Sequence, residues 1–340
     1  MLRQIENIEI KSFKSINYAL LDSCSRINLL IGRPNVGKSN LLEALSLFSL
    51  PYFKNNLTKQ LSNFVRLENE AELFFYGNID SQIEINTNIA NCTIKYSNHH
   101  EFENSLLPKQ KQLTIELKDL QTESKQTFAI DEKLNIKSVS KMDFDFAIKK
   151  YLFVSHIQQK KSNLSFLIPP FGVNLLNVIE LHSKLKQELI QIFEEYGLKL
   201  VFDKASQTLK VMKEGKGNDL FLIPYHSIAD TLQRIIFYKS AIASNQDSIL
   251  LFEEPEAHSF PPYIVHVTQE IIHATKNQFF ISTHSPYIVN DFLENCREEL
   301  SIFSTDYRHG ETVIRKLTSQ EMYDIFQYGI DLFTNNEIFV

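Results

Sequence analysis

Gly32-Arg33-Pro34-Asn35-Val36-Gly37-Lys38-Ser39 lies between the apolar run Arg26-Ile27-Asn28-Leu29-Leu30-Ile31 and the amphipathic run Asn40-Leu41-Leu42-Glu43-Ala44-Leu45-Ser46-Leu47-Phe48. The octapeptide fits G-x-x-x-x-G-K-[ST], the phosphate-binding P-loop. Its chemistry needs this order: a short buried strand leads into a glycine-bounded turn with inward-facing amides, and the next helix sets its positive end under the phosphates. Lys38 then reaches the β and γ phosphates and Ser39 holds Mg²⁺. The contact set runs through Gly32, Arg33, Pro34, Asn35, Val36, Gly37, Lys38, Ser39 and Asn40. The chain has nine glycines and two of them bound this loop, which argues against a mere glycine-capped surface turn.

Two further apolar strands end in polar chemistry. Ser248-Ile249-Leu250-Leu251-Phe252 runs into Glu253-Glu254-Pro255-Glu256, and Asn277-Gln278-Phe279-Phe280-Ile281 runs into Ser282-Thr283-His284-Ser285-Pro286. Buried parallel strands present their C-terminal ends to the ligand crevice. Glu253 is therefore expected to hold Mg²⁺, directly or through water, and Glu254 to orient or activate the attacking water. His284 is expected to sense the γ-phosphate.

The 340 residues suffice for one large or two ordinary domains, and 43% hydrophobic content supplies a core. No apolar run reaches membrane-helix length and the N-terminus lacks a signal-peptide core, so a cytoplasmic protein with no membrane partner is expected. Cys24, Cys92 and Cys296 are odd in number and far apart, and read as packing residues. The net charge of -6 argues against coating nucleic acid through overall charge. It leaves a local DNA contact open. The small basic clusters Lys109-Gln110-Lys111, Lys149-Lys150 and Lys160-Lys161 read as solvated faces.

Along the chain, Ile5 to Ile16 alternates like a strand, and the helix after the P-loop is expected to end at Pro51. Alternating runs at Glu72–Tyr76, Gln82–Ile85, Cys92–Tyr96, Leu113–Leu117 and Gln126–Ile130 predict an antiparallel sheet, and Tyr151–Val154 a buried strand. One helix is expected over Leu175 to Tyr196, stopped by Gly197. A small meander follows over Leu198–Phe202, Thr208–Met212 and Leu220–Ile223, with Gly215 and Gly217 in one turn.

GRPNVGKS, ILLFEEPEAH and FFISTHSPYIV, in this order and with a large insertion after the first, resemble the ABC-type ATPases of the SMC and OLD-like group. The resemblance implies an α/β fold: a P-loop NTPase of the ABC/SMC-like head type, with a mixed central sheet, an antiparallel β subdomain and a helical insertion. Residues 1–50 and 221–340 would form the nucleotide-binding core and 51–220 the insertion. It further implies ATP and Mg²⁺ as cofactors, Glu253 at the Walker B position, Glu254 as the catalytic carboxylate and His284 as the switch histidine. ATP would lie between two heads, each lending a signature segment to the other. The candidate segment is His226 to Arg234, with Ser227 toward the partner's γ-phosphate, although Ala229 replaces the family glycine. Ser227 also reads as a plain N-cap with Asp230 three residues on. The Phe13-Lys14-Ser15 turn resembles the family segment beside the nucleotide, and Gln158 or Gln159 could be the Q-loop glutamine.

The P-loop alone would suit a GTPase, but no Asn-Lys dipeptide and no Asp-x-x-Gly after the loop accompany it. Among ATPases, the resemblance favours a subunit of a bacterial antiphage system that regulates a separately encoded effector, a nuclease by expectation. Only some fifty residues follow His284, too few for a TOPRIM domain. The competing reading is a RecF-like DNA-repair ATPase that binds DNA directly.

Overall fold

The computed structural model describes residues 3–98, 111–140, 146–206, 208–214, 219–259 and 261–333. The expected basic cluster at 109–111 and the Gly215/Gly217 turn lie at or outside these limits. Strands β1 (Ile8–Phe13) and β2 (Ile16–Leu21) form a hairpin closed by Phe13 opposite Ile16. Strand β3 (Ile27–Gly32) is buried throughout and delivers the chain to the P-loop and helix α1 (Lys38–Ser46). Pro51 does not end the helical path. A 3₁₀ segment, Leu47–Asn55, carries the chain through it, because Leu47 to Phe53 are all buried and packing outweighs the lost backbone donor.

The expected strand at 72–76 is absent. Asn69 accepts a hydrogen bond from the Ala71 amide and starts a 3₁₀ turn over Glu70–Leu73, and a second turn spans Phe75–Gly77. Phe74 keeps one bridge to Phe13. A side-chain acceptor at a turn start competes with the strand ladder, and here it prevails. Strands β4 (Ile83–Thr87), β5 (Ala90–Asn98), β6 (Lys111–Asp119), β7 (Lys125–Ile130) and β8 (Ile136–Ser138) then meander antiparallel. Strand β9 (Ile148–Tyr151) lies three residues earlier than the apolar run predicts, and Val154 is exposed. Lys149 and Lys150 are consequently buried rather than solvated. Lys149 Nζ donates to Asn245 Oδ1 at 2.6 Å, and Lys150 Nζ donates to the Phe64 carbonyl at 2.9 Å. Lys160 and Lys161 are exposed as expected.

The single helix expected over 175–196 is two, α2 (Leu175–Leu181) and α3 (Ser183–Glu195), broken at His182, whose ψ of 88° is not helical. Strands β10 (Lys199–Asp203), β11 (Thr208–Glu214) and β12 (Leu220–Pro224) form the anticipated meander. The remaining order is α4 (Asp230–Ala243), β13 (Ile249–Glu253), α5 (Pro261–His273), β14 (Gln278–Ser282), α6 (Pro286–Asn295), β15 (Leu300–Arg308), β16 (Glu311–Lys316) and α7 (Ser319–Tyr328).

Two large sheets result, in the orders β2-β1-β4-β5-β6-β7-β8 and β16-β15-β3-β14-β13-β9. The second is parallel from β15 to β9, with β16 antiparallel at the edge. The sheets do not divide at residues 50 and 221: β1 of the N-terminal part pairs with β4, and β9 pairs with β13. The parallel sheet is covered on both faces, as its continuous apolar strands require. Leu29, Ile31, Leu250 and Phe252 face one core with α4, α5 and α6, whereas Leu30, Leu251 and Phe280 face another with α1 and the antiparallel sheet. Among the described residues no helix is long and apolar enough to cross a membrane.

Candidate nucleotide-binding site

Strand β14 lies between β3 and β13, so the loops after these three neighbouring strands open side by side. They carry the P-loop, Glu253-Glu254 and His284. Gly32 has φ 147° and Gly37 φ 103°, backbone that side chains rarely adopt, and a Cβ at Gly37 would sit 2.1 Å from Thr312 Oγ1. Thr312 on β16 donates to the Val36 carbonyl at 3.0 Å and meets Ser15 Oγ at 2.7 Å. Ser15 in turn accepts from Asn40 Nδ2 at 2.7 Å. The back of the loop is thus braced by the β1–β2 turn and β16, leaving Arg33, Pro34 and Asn35 exposed. Helix α1 begins with no side-chain cap, so its first amides are turned toward the loop.

Lys38 is buried and donates to the carbonyls of Gly32 at 2.9 Å and Arg33 at 2.6 Å. Burial lowers its pKa to about 8, while the nearby Glu254 pulls the other way. Glu254 follows β13 with φ 43°, a strained conformation for a non-glycine residue, and its amide donates to the Ser282 carbonyl at 2.9 Å. Its Oε1 lies 3.5 Å from His284 Nε2. Burial lowers the His284 pKa, Lys38 lowers it further and Glu254 opposes both. Lys38, Glu254 and His284 therefore sense one another electrostatically across three strand ends.

Glu253 Oε1 accepts from Arg66 Nη2 at 2.9 Å, and its Oε2 lies 3.9 Å from Lys150 Nζ. The Ser39 hydroxyl and the Glu253 carboxylate are hard oxygen donors of the kind Mg²⁺ takes, and the two-glycine cradle with its uncapped helix fits a triphosphate. These residues suit the nucleotide and metal that the motifs imply.

Other expected residues are placed differently. Ser227 ends a 3₁₀ turn, Tyr225–Ser227, and is exposed. The N-cap of α4 is Ala229, so Ser227 is not the helix cap the sequence suggests. Gln158 and Gln159 line a cavity of about 650 Å³ with His226 and Leu176, apart from the P-loop cluster. The Phe13-Lys14-Ser15 turn, by contrast, lies against the P-loop through Ser15 and against α1 through Lys14, whose Nζ bonds Glu43 and the Arg66 carbonyl.

Sequence reasoning missed Thr312, since nothing in local pattern links it to Ser15, 297 residues away. It also left Glu256 without a role. Glu256 Oε1 accepts from Thr283 Oγ1 at 2.7 Å and from the His284 amide at 2.8 Å, and so fixes the turn that aims the imidazole. Burial raises the Glu256 pKa, and its Oε2 is buried without a partner. Glu256→Ala is expected to lower stability by about 1–3 kcal/mol, the cost of stranding buried donors, and to cut turnover. Glu256→Gln, which keeps one acceptor oxygen, should retain most of both. Thermal unfolding and steady-state phosphate release check this, and equal damage by both variants would show that the acid itself is needed.

A P-loop beside a carboxylate-ended strand and a histidine turn, on a parallel α/β sheet, has the arrangement of a P-loop nucleotide-binding domain. The chain belongs to the AAA domain family described as putative AbiEii toxin, Type IV TA system, which matches residues 27–290. An Smc head bound to the C-winged helix domain of ScpA superposes with TM-score 0.52 at 14% identity, covering 95% of this chain and 100% of that one. The Smc head with an extended coiled coil, bound to the C-terminal domain of ScpA derived from Pyrococcus furiosus, gives 0.52 at 13% identity over 95% and 98%. At these identities the likeness establishes the fold. An uncharacterized protein of Methanocaldococcus jannaschii is 29% identical over 130 residues, 34% of this chain; the match spans about half, 53%, of that relative's length.

Proposed function

We propose that this chain binds and hydrolyses ATP as a subunit that dimerises around the nucleotide and regulates a separately encoded effector, a nuclease, in bacterial antiphage defence. The observation that carries the ATPase reading is the convergence of Lys38, Glu253, Glu254 and His284 on three adjacent strand ends. Bound Mg²⁺-ATP supplies the phosphoanhydride bond and a metal that neutralises charge on its phosphates. The loop amides and Lys38 hold the phosphates once Lys38 Nζ exchanges its two loop carbonyls for phosphate oxygens. Glu253 and Ser39 would hold the metal. A Glu254 carboxylate oxygen takes the proton of the attacking water, and His284 Nε2 beside Glu254 Oε1 senses the γ-phosphate. Ser227 is exposed at the end of its turn, which leaves its hydroxyl open for a contact made in the partner head.

The family description, a putative toxin of a Type IV toxin–antitoxin system, supports a place in bacterial conflict. The test is phosphate release with ATP and GTP, together with mass by light scattering with and without ATP. Release with ATP preference and an ATP-dependent doubling of mass are expected. Equal mass in both states overturns the shared-site reading. For the effector, co-purification with the product of a neighbouring open reading frame that cleaves nucleic acid is expected; salt-sensitive DNA binding by the chain alone would favour the RecF-like repair reading instead.

A further inference from the structure

Five charged side chains interlock beside the P-loop. Glu43, on α1, is fully buried and pairs with Lys14 and with Arg66 Nε at 2.7 Å. Arg66 extends its other arm to Glu253, and Lys150 lies on the far side of that carboxylate, bonded to the Phe64 carbonyl. Burial would push the Glu43 carboxyl up, but Lys14, Lys150 and Arg66 outweigh it and hold it below the ordinary range. The set carries three cations and two anions.

We infer that Arg66 is a built-in stand-in for the metal: it neutralises Glu253 until a divalent cation arrives, and must release Glu253 Oε1 for that carboxylate to ligate the ion. The inference rests on Glu253 being the metal carboxylate proposed above. Both Glu253 oxygens face cations, and exposure decides which one yields. The Lys150 side chain is 4% exposed and fixed by a backbone carbonyl, whereas that of Arg66 is 64% exposed. A divalent cation competes with the guanidinium for the Oε1 lone pairs, and the exposed Arg66 yields before the buried Lys150. Arg66 keeps its Nε bond to Glu43 and pivots on it.

The test is the Mg²⁺ dependence of binding of a fluorescent, non-hydrolysable ATP analogue to the full chain, with Mn²⁺ binding by electron paramagnetic resonance as a direct readout of the metal. Arg66→Gln is expected to lower the half-saturating Mg²⁺ by about two- to five-fold, the range for losing one partly exposed ion pair. Arg66→Lys, whose compact ammonium lacks the forked reach of the guanidinium to both carboxylates, should fall between. Unchanged or raised Mg²⁺ demand in Arg66→Gln overturns the inference, because a guanidinium that assists nucleotide binding would weaken it when removed. Failure of the wild type to bind the analogue at any Mg²⁺ concentration would instead refute the nucleotide-site reading, so the two failures are distinct.

Discussion

Glu254→Gln is expected to lower ATP turnover by about 10²–10⁴-fold, the usual contribution of a positioned general base, while leaving ATP affinity unchanged or higher. The substitution keeps the shape of the side chain and removes its charge. Glu254 stands at the end of β13 with its amide held by the Ser282 carbonyl and its Oε1 3.5 Å from His284 Nε2. An amide in that position still accepts a hydrogen bond but cannot take a proton from water. Affinity is preserved because Glu254 is an anion near Lys38 and faces the place of the γ-phosphate; removing it reduces repulsion of the triphosphate. The strained backbone at φ 43° is retained, since glutamine relieves it no more than glutamate does. Bound ATP should therefore persist, and the variant should accumulate as a closed dimer with about twice the monomer mass. Single-turnover phosphate release, equilibrium binding and light scattering measure the three parts separately. A fall in turnover below about tenfold would reassign the base to another group, Glu253 being the nearest carboxylate in the sequence.

The candidate nucleotide site was legible where it is local. A strand, a glycine-bounded turn and a helix are contiguous, and β13 and β14 announce themselves by apolar runs that end in carboxylates or histidine. What brings these pieces together is the β3-β14-β13 order, which periodicity could not supply. Failures of local reading have local causes. The run Tyr151–Val154 looks like a buried strand by hydrophobicity, yet the buried strand is Ile148–Tyr151, because Lys149 and Lys150 find partners in Asn245 and the Phe64 carbonyl. A lysine that can be satisfied inside is indistinguishable, in sequence, from one in water. The Glu72–Tyr76 pattern was overridden by the Asn69 turn, and the helix break at His182 carries neither glycine nor proline to mark it. The braces of the site, Thr312 on Gly37 and Glu256 on Thr283, are contacts between distant strands. They became visible only when the sheet order was known.

Lys38→Met should weaken ATP binding by about 10²-fold, as expected for removing a charge-assisted contact to phosphate, and should abolish a pH dependence that the wild type shows. In the nucleotide-free protein burial brings the Lys38 pKa to about 8 from its ordinary 10.5. Phosphate binds the charged form, so wild-type affinity should be flat below pH 8 and fall with rising pH above it, approaching a tenfold loss per unit until the bound-state pKa is reached. Stability moves the opposite way. Between about pH 8 and 10.5 the unfolded chain keeps the Lys38 proton and the folded chain has shed it, so this residue's contribution to stability rises with pH across that window and is constant below it. Methionine has the volume without the charge. The variant should therefore be more stable than the wild type below pH 8, with the advantage shrinking as pH rises toward 10.5. Binding isotherms and thermal unfolding over pH 7 to 10, each taken as wild type minus variant, cancel the tyrosines and other lysines that titrate in the same range. Opposite slopes in the two differences identify Lys38 as a buried cation held for phosphate; parallel slopes would mean that its protonation supports the fold and not the nucleotide.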